Sequence, residues 1–380
     1  MRSNSPLGQL SALGQSPWCD QLSREMLASG QLATLISMGI TGLTSNPTIF
    51  QKALADGDSY NDQIREAASR RLDAKAIYEE LAVRDIRAVA DLLEPVYRAT
   101  DRRDGYVSLE VAPDLAGDTV ASIEEGRRLW AEVDRPNLMI KIPGTAAGLP
   151  AITTLLAEGI NINVTLLFGL QRYREVLEAH SAGLSQARAN RLDLAQIASV
   201  ASFFISRVDT LVDRLLDFKA EISTDPIEQV RLLELRGMAA IANARAARAI
   251  WERRMEADPL PDGGRPQRLL WASTGTKNKA YGDVRYVEEL IGPETVTTLP
   301  LETINAFDDH GRVRGVTLSG PAEMEESVAT LRALADVGIK MGSVAEELET
   351  AGVKLFVDSF VQLVDGVATK TRGLLVGGSA

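Results

Sequence analysis

"NINVTLL", residues 161–167, sorts its side chains by alternation. Asn161, Asn163 and Thr165 fall on one face of an extended chain, and Ile162, Val164 and Leu166 on the other. Successive residues of a strand point to opposite faces, so the segment has one polar and one apolar side. The preceding runs repeat the pattern. In "GYVSLEV", 105–111, Ser108 and Glu110 oppose Val107, Leu109 and Val111; in "NLMIKI", 137–142, Lys141 shares a face with Met139, opposite Leu138, Ile140 and Ile142. Parallel strands covered on both faces usually read as continuous apolar runs. Strands with one polar face fit a closed barrel better. Helices outside cover the apolar face, and the polar faces converge inside, toward the C-terminal strand ends where barrel active sites form. An open one-sided sheet also alternates, but it does not readily set Glu110, Lys141, Asn163 and Thr165 at similar depth on consecutive strands.

Working outward, strand-like runs lie near 17–20, 40–46, 105–111, 137–142, 161–167, 197–204, 268–273 and 295–300. Helical patterns separate them, at 21–38, 59–70, 74–99, 118–132, 146–157, 171–188, 206–217, 226–256 and 281–291. Strands alternating with helices mark an α/β chain of βαβ units, and eight of them predict a (β/α)8 TIM barrel. "EADPLPDGGRPQ", 256–267, reads as a surface loop. Residues 301–380 carry apolar positions at helical spacing, so additional helices are expected to pack on the barrel. The expected organisation is a flexible segment over 1–14, a barrel with its C-terminal helices over 15–380, and a mobile C-terminal tip.

Composition removes most other plans. The 380 residues are 45% hydrophobic and 24% charged, a globular balance, with a formal net charge of -11. That charge draws the chain to neither nucleic acid nor an anionic membrane. No apolar run reaches membrane-spanning length, no signal peptide is expected, and the single cysteine, Cys19, fits a reducing compartment, so the expected address is the cytoplasm. Two histidines, His180 and His310, both read as solvated, make a Ser-His-Asp triad or a zinc site improbable. Neither a P-loop nor a strand-bound dinucleotide fingerprint occurs. A lysine-based plan survives.

Lysine is almost never buried without a partner, yet Lys141 sits in the middle of an apolar strand. One reading is a buried ion pair with Glu110. The other is a nucleophile that forms a Schiff base with a carbonyl. A nucleophilic amine must be neutral, and lowering the reference value near 10.4 by about three units takes about 4 kcal/mol, which burial can supply. Imine formation also expels water, so it needs an acid–base group nearby. Glu110, one strand away, fits that need, directly or through a water that Thr165 helps hold.

Asp20 ends the first strand, where it suits proton removal from a substrate hydroxyl or, alternatively, a helix cap before "QLSRE". Asn46 in "TSNPT" and Asn163 offer hydrogen bonds to sugar hydroxyls, although Asn46 before Pro47 also suits a plain turn. Ser202 and Phe204 share a pleat face with Val200. Arg207, just past the sixth strand, reads either as a phosphate clamp or as a helix arginine paired with Asp209 or Asp213. Ser273 and Lys277 follow the seventh strand, where barrels often bind phosphate; Lys279 is an alternative.

Six motifs in one order, "GLTSNPTIF", "SLEVAPDLA", "MIKIPGT", "INVTLLF", "ASFFISRVD" and "WASTGTKN", resemble the transaldolases, in particular the longer bacterial branch. The resemblance runs from about residue 17 to 300. It implies a (β/α)8 barrel and a Schiff-base mechanism without metal or organic cofactor. By that resemblance Lys141 is the imine-forming lysine, Glu110 and Thr165 position the catalytic water, and Asp20 is the acid–base aspartate. Asn46, Asn163 and Ser202 would contact a dihydroxyacetone unit, Phe204 would influence water, and Arg207 would bind phosphate. The chain departs from the pattern after Ser273: relatives often carry an arginine two residues on, whereas Thr274, Gly275, Thr276 and Lys277 stand here. Lys277 is therefore the expected second phosphate contact. The implied partners are phosphorylated ketoses and aldoses, with the chain a monomer or homodimer. Two rivals share the barrel: a fructose 6-phosphate aldolase, whose subfamily is shorter and carries glutamine at the Glu110 position, and a non-catalytic sugar-phosphate binder.

Overall fold

The computed structural model describes residues 5–55 and 57–376. Eight parallel strands pair in sequence order, and the eighth closes on the first. They are β1 (Gln15–Cys19), β2 (Gly42–Leu43), β3 (Val107–Glu110), β4 (Leu138–Pro143), β5 (Ile162–Leu167), β6 (Ser199–Phe204), β7 (Arg268–Ala272) and β8 (Thr295–Leu299). The expected (β/α)8 barrel is the observed one. Glu110 pairs with Lys141, Lys141 with Asn163, and Asn163 with Val200, so three polar residues stand level on β3, β4 and β5.

The alternation breaks at one place. Between Val164 and Leu167 the β5–β6 register shifts, and Leu166 takes a left-handed φ of 60°. A bulge of this kind re-aims the residues beside it. Leu166 turns toward the C-terminal helix at Gly352, while Val164 and Leu167 lie beside Gly144. The sequence reading, which grouped Leu166 with Ile162 and Val164, does not anticipate this.

Two expected helices are each broken by a left-handed glycine, which alone adopts that conformation without strain. The span 21–38 divides into Arg24–Ala28 and Gln31–Met38 at Gly30, φ 77°, and 226–256 into Pro226–Glu234 and Ala239–Ala257 near Gly237, φ 71°. Ala74–Ala99 matches its expected bounds, whereas the expected 281–291 shrinks to Arg285–Glu289. Pro47–Ala55 is a helix that the reading left unassigned.

The N-terminal segment also differs from expectation. Pro6–Ala12 is a helix capped by Ser5, with Leu7 and Leu10 fully buried, so apolar burial anchors a stretch expected to be flexible. The expected mobile C-terminal tip, 377–380, lies outside the described residues. His180, read as solvated, is buried in Leu170–Ala189, because that helix packs against Gly148–Ala157 on one side and Ala239–Ala257 on another. Burial, and then the charge of Arg254, pushes its imidazole down to about 4. His310 is exposed as expected, beside Asp283 and Asp309.

At the N-terminal end of the barrel lies a buried network built on the Asp104–Arg268 ion pair. Asp104 accepts from Ser16 Oγ at 2.8 Å, Trp18 Nε1 at 3.2 Å and Arg268 Nη2 at 3.1 Å. Satisfying a buried carboxylate this way avoids the cost of an unpaired charge. Of the helices after β8, Pro321–Asp336 packs outside on Ala239–Ala257. Met341–Val376 instead meets Pro47–Ala55, Ala74–Ala99, Ser206–Ile222 and β5. No helix among the described residues is long and apolar enough to cross a membrane.

Candidate active site

A cleft of about 1050 Å³ opens at the C-terminal ends of the strands. Lys141 forms its floor, with Asp20, Thr165 and Ser202 around it and Asn46, Phe204, Arg207, Ser273 and Lys277 on its walls. Two of the expected residues, Glu110 and Asn163, lie just beneath the lining.

Lys141 is only 4% exposed, and its place in the cleft lining, beside the Ser45 carbonyl and Glu110, sets its amine inside the barrel and not in the helical shell. Its Nζ donates to the Ser45 carbonyl at 3.0 Å and stands 3.3 Å from Glu110 Oε2, at ion-pair distance but off hydrogen-bond alignment. Both Glu110 oxygens and Thr165 Oγ1 are buried without a hydrogen-bond partner among the described residues. Burial raises the Glu110 carboxyl above its usual range, Lys141 pulls it down, and Asp20 adds a further upward push. A carboxyl held between these opposing influences, with its pKa raised, is better suited to give and take a proton than an ordinary surface carboxylate.

Asp20 is not a helix cap. The following helix, Arg24–Ala28, is capped by Ser23 Oγ on the Met26 N–H. Asp20 instead accepts from Thr44 Oγ1 at 2.7 Å, while its own N–H donates to the Leu299 carbonyl, so β1, β2 and β8 hold it at the cleft. Asn46 Oδ1 accepts from the Ile49 N–H at 3.0 Å, which caps the first turn of Pro47–Ala55 and is more than a turn. Asn163 is engaged through both amide atoms below the floor: its Nδ2 donates to Ser108 Oγ at 2.9 Å, and its Oδ1 accepts from Ser202 Oγ at 2.7 Å. It therefore orients Ser202 from beneath.

Arg207 does not pair with Asp209 or Asp213. Those carboxylates turn away, Asp209 to the Ala240 N–H and Tyr286 Oη, and Asp213 to the Gly237 N–H and Tyr281 Oη. Among the described residues no carboxylate lies within ion-pair distance of Arg207; burial lowers its pKa, opposed by the charge of Asp20. Ser273, in a left-handed conformation with φ 56°, shares a 2.8 Å hydrogen bond with Ser206 Oγ and so ties the helix carrying Arg207 to the end of β7. Lys277 is exposed on the rim.

Sequence reasoning missed several lining groups. The Ser45 carbonyl is backbone and leaves no side-chain signal. Lys52 reaches the cleft from the unassigned helix Pro47–Ala55, and Phe356 from the C-terminal helix. Neither belongs to a strand-end motif.

A family model described as Transaldolase/Fructose-6-phosphate aldolase matches residues 17–367. A Thermobifida fusca protein named Transaldolase is 50% identical, over 96% of this chain and 98% of its own length. One from Saccharopolyspora erythraea is 49% identical over 97% and 98%, and one from Mycobacterium bovis 46% identical over 95% and 96%.

Proposed function

The chain belongs to the transaldolase/fructose-6-phosphate aldolase family, and from that premise we propose how its barrel performs the transaldolase reaction. A dihydroxyacetone unit passes from sedoheptulose 7-phosphate to glyceraldehyde 3-phosphate, giving erythrose 4-phosphate and fructose 6-phosphate. The observation that carries the reading is the buried Lys141–Glu110 pair, 3.3 Å apart, with the Lys141 amine facing a cleft that Thr165 also lines.

In this reading the Lys141 amine attacks the C2 ketone of the donor. The resulting carbinolamine loses water, with Glu110 and the Thr165 hydroxyl steering proton and water, and an imine forms. Asp20 takes the proton from the C4 hydroxyl, and the C3–C4 electron pair flows into the imine as that bond breaks. The aldose leaves, and the three-carbon enamine adds to the acceptor aldehyde. Hydration then frees Lys141. The protein's own imine is the electron sink. Asn46 and Ser202 hold the donor's hydroxyls, with Asn163 fixing Ser202, and Phe204 shields the site from water. Arg207 receives the phosphate, helped by Ser273 and Lys277. Arg207's lack of an acidic partner supports that role. The cytoplasm, as monomer or homodimer, completes the reading.

The test is turnover of fructose 6-phosphate with and without erythrose 4-phosphate. The proposal expects rapid transfer that requires the acceptor. Release of free dihydroxyacetone at the same rate without acceptor would make the chain an aldolase instead.

A further inference from the structure

The helix Met341–Val376 lies outside the eightfold strand–helix succession, yet it contributes a wall of the cleft. Gly352, Phe356 and Phe360 follow one another at four-residue spacing and so share one face. That face is pressed onto the barrel. A Cβ at Gly352 would lie 3.0 Å from Leu166 Cδ2, so a glycine there lets the helix come close. Phe360 packs edge-on against Tyr78, with centroids 5.8 Å apart. Between these anchors Phe356, 4% exposed, is carried over the catalytic floor.

Its ring centroid is 5.8 Å from Lys141 Nζ and 5.9 Å from Arg207 Cζ. Arg207 has a second ring, Phe204, at 5.3 Å, and Phe204 is itself braced by Phe168 with centroids 5.1 Å apart. A cation within about 6 Å of an aromatic face is attracted by it. Half-buried Arg207 thus has two rings near it and, among the described residues, no carboxylate partner. Rings orient a guanidinium without neutralising it, which leaves its charge and its planar fork for an incoming anion. A carboxylate would hold the group equally still but would compete with the ligand.

We propose that Phe356 is a positioning residue: together with Phe204 it holds the Arg207 guanidinium toward the cleft, and so sets the preference for phosphorylated over unphosphorylated sugars. The proposal rests on the reading of Arg207 as the phosphate contact. A guanidinium held in place loses less rotamer freedom on binding phosphate than a free one. Through Arg207 the consequence is confined to ligands that carry the phosphate, whereas an effect of the same ring on Lys141 falls on both acceptors and cancels in their ratio.

The experiment measures kcat/KM for erythrose 4-phosphate and for erythrose, with saturating fructose 6-phosphate as donor. It compares the parent with Phe356→Leu, Phe356→Met, Arg207→Ala and the double variant Phe356→Leu/Arg207→Ala. Leucine and methionine keep apolar volume without the π face, and either serves if the other fails to fold. The expected result is a fall of about tenfold in the phosphorylated-to-unphosphorylated ratio for the Phe356 variants. Arg207→Ala should lower the ratio at least as far, and the double variant no further than Arg207→Ala, since both changes act on one interaction. An unchanged ratio in Arg207→Ala would overturn the phosphate reading itself. A lowered ratio there with an unchanged ratio in both Phe356 variants would overturn the inference alone, as would equal losses on both acceptors.

Discussion

Replacing Glu110 with glutamine preserves shape while removing the group assigned to proton transfer. The side chain is 7% exposed, stands level with Lys141 on the neighbouring strand, and makes no hydrogen bond through either oxygen among the described residues. Little packing is therefore disturbed. General acid–base assistance contributes about 10²–10⁴-fold, equivalent to about 3–5 kcal/mol of transition-state stabilisation at 1.36 kcal/mol per tenfold. Since the proposed mechanism uses Glu110 for both loss and return of water, Glu110→Gln should lower kcat by that factor with KM little changed. The parent should lose activity as pH falls through the raised Glu110 pKa, because the protonated acid no longer accepts a proton; the variant should lack that acid limb. The assay is a single turnover of fructose 6-phosphate, quenched with borohydride at increasing times. Slow trapping that reaches the parental amplitude fits the account. Trapping at the parental rate, with the acid limb retained, would refute the role given to Glu110.

Asp20→Asn should separate imine formation from bond cleavage: a reduced six-carbon adduct accumulates on Lys141 while transfer falls by about 10²–10⁴-fold. A three-carbon adduct formed at the parental rate would remove Asp20 from the cleavage step. Asp209 gives a stability prediction. Burial pushes its carboxyl up from 3.8 to about 6, against the Ala240 N–H and Tyr286 hydroxyl bonds that favour the charged form. A raised folded pKa means the native state holds a proton that the unfolded chain releases, so the contribution of Asp209 to stability falls as pH rises from about 4 to about 6, by about 3 kcal/mol. His180, whose folded pKa is lowered to about 4, contributes the opposite trend over the same range. The measurement is therefore the difference between urea titrations of the parent and Asp209→Asn: the parent should lose stability relative to the variant from about pH 4 to about pH 6, and parallel curves would contradict it.

Legibility followed chemistry that leaves a local trace. Period-two alternation placed Glu110, Lys141 and Asn163 on one face of three successive strands, and the observed register sets them level. Where backbone strain overrides alternation, as at Leu166, the pattern carried no warning. Helical periodicity ran through Gly30 and Gly237 because apolar spacing continues past each break. The seven-residue helix Pro6–Ala12 is too short for periodicity to register. Among candidate site residues the hydrogen-bond partners were the hidden part: Asn163 is engaged by Ser108 and Ser202, and Asp20 by Thr44, pairings that only the side-by-side packing of strands distant in sequence creates. Phe356 was least legible. It lies far along the chain from any strand end, and its position depends on the close seating of a late helix at Gly352.

The most direct measurement incubates the protein with fructose 6-phosphate, reduces with borohydride, and maps the modified peptide by mass spectrometry. A three-carbon adduct on Lys141 alone is the predicted result. Transfer activity that survives reduction with no adduct on Lys141, or an adduct confined to a rim lysine such as Lys52 or Lys277, would contradict it.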